Sequence, residues 1–141
     1  MLLDANVLLY AYDTSSPQHQ RARDWLEATL NGDEDVSIAL VTLLAFIRIA
    51  THPQVFARPM QVRDAVDGVR EWLSLPIVSI AEPATSHWHA LAVTASNAQV
   101  RGADVMDAHL ATLAMQSGAT LVTTDKGFAR FDGLKRANPL D

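Results

Sequence analysis

Cysteine is absent from this 141-residue chain, which removes disulfide frameworks, thiolate zinc sites and thiol nucleophiles in one step. An excess of basic residues is absent too: 11 Lys and Arg stand against 16 Asp and Glu, for a net charge of -5. That balance argues against a module that holds nucleic acid by coating its phosphates with cations. It weighs less against a nuclease, because carboxylates gathered to hold divalent cations lower the net charge until the ions bind. Long apolar runs are also missing. The longest stretch, from Val36 to Ala50, is broken by Ser37, Thr42 and Arg48 and is too short to span a bilayer. The opening MLLDANVLLYAY has no basic leader and carries Asp4 inside its apolar residues, so no secretory signal is expected. A soluble cytoplasmic protein with no membrane partner is the expectation. No linker, internal repeat or low-complexity tract interrupts the chain.

What is present suits one compact domain over residues 1–141, with 49% hydrophobic and 19% charged residues and enough length to bury roughly 70% of the unfolded surface. Met1 to Leu3 reads as a short strand leading through Asp4 into a helix at Asn6 to Tyr12. Pro17, after Ser15 or Ser16 as cap, opens a helix to Leu30 that Asn31 and Gly32 stop. Val36 to Ile38 reads as a strand and Val41 to Thr51 as a buried helix, ending at His52 before Pro53. An amphipathic helix follows over Gln61 to Leu75, then a strand over Ile77 to Ile80 and a helix over Ala84 to Ala98. A helix from Ala103 to Ser117 stops at Gly118, ahead of a β-branched strand over Thr120 to Thr123 and an edge strand near Lys135 to Ala137. Short apolar strands alternating with helices predict an α/β fold, a three-layer α/β/α sandwich around a central parallel sheet.

Ligands of such sheets collect at the carboxyl ends of the strands. Asp4 follows the first strand, Asp125 follows Thr120 to Thr123, and Asp104 and Asp107 share a face in the first turn of the helix before that strand. Three segments therefore deliver carboxylates toward one edge. Hard cations such as Mg²⁺ take oxygen ligands of this kind together with water, and the chemistry that suits them is water attack on a phosphodiester. Taken singly, each acid has a structural reading: Asp4 and Asp104 as helix caps, Asp107 as a first-turn charge, Asp125 in TTDKG as a turn former.

The start LLDANVLLYA, the middle LLAFIRIATHP and the segment DAHLATLAMQSGATLVTTDKGFARF, in that order, resemble the PIN domain and specifically the VapC-type toxins. The resemblance covers nearly the whole chain. It implies an endoribonuclease dependent on Mg²⁺ or Mn²⁺, acting on RNA, dimeric with itself and silenced by a cognate antitoxin whose tail can place an arginine in the acidic pocket. By position, it implies that Asp4, Asp107 and Asp125 are the catalytic, metal-binding acids, with Asn6 beside Asp4, Thr123 supporting Asp125 and Phe128 packing. One residue departs from the family pattern: where a glutamate stands in the central helix, this chain has Ala45. Asp104 taking over part of the coordination, waters filling the gap, and a weakened nuclease are the three ways to accommodate that methyl group.

Arg48 shares the helical face of Ala45 and is placed to meet the RNA phosphate or a carboxylate, or to snorkel as a surface arginine, while Lys126 and Arg130 flank Asp125 and are candidates to hold phosphates of the substrate strand. His52, His87, His89 and His109 show no metal spacing and read as surface or cap residues. Trp25, Trp72 and Trp88 fall on apolar helix faces, where core or dimer packing is expected. Two competing readings are a catalytically silent PIN domain that only binds a partner, motivated by Ala45, and a phosphoacceptor receiver domain. The receiver needs an acceptor Asp after the third strand, where this chain reads AEPAT.

Overall fold

A computed structural model describes residues 1–141. Five short parallel strands, β1 (Leu2–Leu3), β2 (Val36–Ala39), β3 (Val78–Ala81), β4 (Leu121–Val122) and β5 (Arg136–Ala137), form one sheet in the order β3-β2-β1-β4-β5. Two residues suffice for β1 because it is central: Leu3 pairs with Ile38 on one side and Val122 on the other. Its two leucines point to opposite faces. Leu3 joins Val36, Ile38 and Val122 in a core with α1 (Ala5–Tyr12), α2 (His19–Leu30), α3 (Leu40–Ala50) and α4 (Val62–Leu73), while Leu2 and Leu121 pack with α6 (Asp104–Ser117). The second face is completed by α5 (His87–Asn97). The expected three-layer α/β/α sandwich is the observed one.

The first core centres on Phe46, wholly buried, whose ring lies 5.5 Å from Tyr12 and 4.9 Å from Trp72. Truncating such a ring costs about 3–5 kcal/mol. Gly118 ends α6 in the left-handed region at φ 68°, a conformation that penalises any residue with a Cβ.

Strand order disposes of the receiver reading. In receiver-type sheets of order 2-1-3-4-5 the third strand adjoins the first; here β2 separates β3 from β1 and β3 is an edge. Several local expectations also change. Pro17 lies in a turn ahead of α2, where Ser16 accepts from the Gln18 N–H instead of capping the helix. Trp88 is 81% exposed, because α5 packs on α6 and the core beside it through His87, Leu91 and Ala95, and a residue one step along the helix points about 100° away. Trp72, in contrast, is buried. His87 is neither surface nor cap: it is buried, with Nε2 2.9 Å from Nδ1 of His109 and Nδ1 2.9 Å from Oε1 of Gln116, joining α5 to α6.

Candidate metal centre

The strand order reverses between β1 and β4, both of which continue at their carboxyl ends into acidic residues. Asp4 leaves β1 in extended backbone and starts α1, its Oδ1 accepting the Ala5 N–H at 2.7 Å. The cap reading is therefore right, but it engages only one oxygen. Oδ2 accepts the Thr123 hydroxyl at 2.7 Å and the Asn6 amide at 3.0 Å. The same Asn6 amide donates to Thr123 Oγ1 at 3.1 Å, and Asn6 Oδ1 accepts the Thr124 N–H at 3.1 Å. Thr123 in turn accepts the Asp125 N–H at 3.0 Å. This network crosses the switch point and fixes the two strand ends to each other.

Asp125 is exposed and caps a 3₁₀ turn, Lys126–Arg130, through the Gly127 N–H at 2.7 Å. Phe128, buried, anchors that turn as expected. Asp104 and Asp107 open α6, whose N-cap position is Ala103, so Asp104 does not cap. Both carboxylates are bound by one side chain: Arg130 places Nη1 2.9 Å from Asp104 and Nη2 3.0 Å from Asp107. Lys126 stands exposed on the turn.

Burial is the main reason that the Asp4 carboxyl is pushed above its ordinary value of 3.8; its hydrogen bonds with Thr123, Ala5 and Asn6 oppose that rise, and the charge of Asp125 adds to it. Asp107 is raised in the same way, by burial first and then by Asp125, against the pull of Arg130. Asp4 and Asp107 thus both feel the charge of Asp125, and Asp107 feels that of Asp4 as well. A cleft of about 340 Å³ is lined by Asp4 and Asp107, though not by Asp125, together with Thr42, Ala45 and Arg48 among others. Arg48 and Ala45 therefore share the cleft as their spacing on α3 implies. Thr42 was not anticipated. Its hydroxyl is fully buried and has no hydrogen-bond partner, and it lies one helical turn before Ala45. The one sequence signal was a lone hydroxyl in an otherwise apolar helix start, LVTLLA.

Residues 1–134 match the PIN-domain family. The chain belongs to it. This PIN domain is 38% identical to Ribonuclease VapC37 of Mycobacterium tuberculosis over 98% of its own length and 96% of the relative's. It is 37% identical to Ribonuclease VapC43 of the same organism over 100% and 96%. Two solved structures share the fold. VapBC-1 from nontypeable Haemophilus influenzae gives a TM-score of 0.69 at 16% identity, covering 99% of this PIN domain and 98% of that chain. VapBC2 from Rickettsia felis, bound to a DNA fragment from its promoter, gives 0.68 at 18%, covering 97% and 96%.

The donor set fits a hard divalent cation on two grounds: the acids offer only oxygen, and the unpartnered Thr42 hydroxyl is a buried polar group that a hydrated ion in the cleft would satisfy. As the side chains stand, no three acidic or histidine residues converge to coordinating distance. Asp107 is instead turned to Arg130.

Proposed function

We propose that this chain, acting as one PIN domain over residues 1–141, is the toxin of a toxin-antitoxin pair and cleaves RNA as a Mg²⁺- or Mn²⁺-dependent endoribonuclease. The observation that carries the reading is the hydrogen-bond network that ties Asp4, at the end of β1, through Thr123 to Asp125, beyond the end of β4, beside a cleft that Asp4 and Asp107 line. A bound cation would supply Lewis-acid polarisation of the scissile phosphate and an activated water. Asp4, Asp107 and Asp125 would hold it. Asp104 reaches it only if Arg130 leaves. Asn6 and Thr123 keep the Asp4 carboxylate oriented, since its Oδ2 takes bonds from both. Arg48 in the cleft and Lys126 on the turn meet the phosphates of the RNA strand. No side chain acts as nucleophile.

The VapBC structures of matching fold support a cognate antitoxin as partner; a second copy of this chain is the other proposed partner, on the family resemblance alone. No helix is long and apolar enough to cross a membrane, and the cytoplasm, where RNA is accessible, is the proposed compartment. The deciding experiment incubates the chain, freed of antitoxin, with mixed cellular RNAs in Mn²⁺ or in EDTA. Cleavage is expected in Mn²⁺ only, and its loss by at least about a hundredfold in Asp4→Asn or Asp125→Asn with the fold intact by circular dichroism. A fully active Asp4→Asn protein would falsify the site.

A further inference from the structure

We propose that Arg130 is a built-in counter-cation of the metal centre, closing Asp104 and Asp107 in the metal-free protein and giving up Asp107 when a divalent cation loads. The inference rests on the metal-centre reading above and adds what holds the site before the ion arrives. Like charges three residues apart in one helical turn repel, and Asp107 also feels Asp4 and Asp125. A positive charge set between the carboxylates offsets that field. Arg130 does so with two separate nitrogens at 2.9 and 3.0 Å, one per carboxylate.

The closed position is reversible by construction. The guanidinium lies over the Phe131 ring, 5.2 Å from its centroid, and its side chain is 31% exposed, so a short path leads to solvent. In this position Nε is buried without a hydrogen-bond partner, a cost that a shift away from Asp107 relieves if it brings Nε to water. Asp104, the more exposed of the two acids, remains as an anchor on the solvent side. Arg130 also ends the same five-residue turn that Asp125 caps. A cation drawing on Asp125 therefore acts on the segment that carries its competitor. Released from Asp107, the guanidinium stands beside the loaded ion, where a substrate phosphate would meet it.

The competition is read directly as cation affinity. Isothermal titration of Mn²⁺ into the whole chain, without antitoxin, compares wild type, Arg130→Gln, Arg130→Lys and Asp4→Asn. Removing one unit charge next to the ion should tighten Mn²⁺ binding about tenfold in Arg130→Gln, with Arg130→Lys staying near wild type and Asp4→Asn weakened. Unchanged or weaker binding in Arg130→Gln, with Asp4→Asn still weakened, overturns the counter-cation alone. Unchanged binding in Asp4→Asn overturns the metal centre and this inference with it. A measurement on wild type stands even if Arg130→Gln does not fold: saturation with diamagnetic Mg²⁺ should shift the Arg130 guanidinium resonances and speed their exchange with solvent. Resonances that ignore saturating Mg²⁺ overturn the proposal.

Discussion

The two sides of the switch point hold their acids in opposite ways. On the strand side, Asp4 is 9% exposed and accepts three hydrogen bonds from within the chain, to partners that also bond one another. On the helix side, Asp104 and Asp107 are 45% and 28% exposed at their side chains and depend on one long, partly exposed arginine. Buried, interlinked hydrogen bonds fix a single geometry, whereas partly exposed ion pairs add little stability and exchange partners readily. On the proposed reading, a site built this way would have one rigid ligand to set where a cation sits and an adjustable flank to close around it.

The strongest test of that contrast is Thr123→Val. Its hydroxyl donates to Asp4, accepts from Asn6 and accepts the Asp125 N–H, and the residue is 3% exposed. Replacing it by a group of the same shape leaves those partners short of a bond, at about 2 kcal/mol by urea unfolding of the metal-free protein. Cleavage should fall at least about tenfold, because the Asp4 carboxylate is no longer held in register. If Thr123→Val costs no more stability than Asp104→Asn, the rigid and adjustable sides are not distinct.

Much of this was legible before any coordinates. Asp4 after an apolar Leu2-Leu3 and Asp125 after a β-branched run announce strand ends, and strand ends in a parallel sheet are where ligands gather. Segment boundaries shift by one to three residues where caps are weak, least at the start of α6, expected at Ala103, and most at that of α5, expected at Ala84 and found at His87. What stayed hidden depends on rotations that spacing does not encode. Arg130 reaches back across 23 residues to Asp107, which requires the turn after Asp125 to aim its last side chain at α6. The pairing of His87 with His109 likewise needs the packing of α5 on α6, and Trp88 looked apolar-faced until the buried side of α5 was fixed by that packing.

Proton competition sharpens the comparison next, with two carboxylates acting together. Asp4 and Asp107 both stand above 3.8 in the folded protein. The stability each contributes to the metal-free form is fully present below the unfolded value and is lost as pH rises through the raised folded one. Melting of the metal-free protein should therefore gain stability on acidification through that window. Mn²⁺ needs the ionised acids, so with saturating metal the slope should reverse, and Mn²⁺ affinity should fall in the same window. Parallel slopes with and without metal would disconnect these acids from the cation.

Thr42→Val is smaller and has the opposite sign on stability. A buried hydroxyl without a partner costs about 1 kcal/mol, which a methyl of equal shape recovers. The metal-free variant should be more stable by that amount and bind Mn²⁺ a few-fold less tightly, since the hydroxyl that would take a water of the ion is gone. A destabilised variant would mean that the hydroxyl already has a partner.

The smallest effect belongs to Asp104→Asn, and its background dependence is what matters. Its side chain is 45% exposed and its ion pair with Arg130 lies at the rim, so stability should move by no more than about 0.5 kcal/mol. As a ligand, Asp104 would lower Mn²⁺ affinity on removal whether or not Arg130 is present. As the anchor of Arg130, it would matter only while the arginine is there, and Asp104→Asn would be close to neutral in an Arg130→Gln background. The four proteins of this double-mutant cycle, titrated with Mn²⁺ alone, separate the two roles. An equal loss in both backgrounds would move Asp104 into the coordinating set that the missing glutamate at Ala45 leaves short.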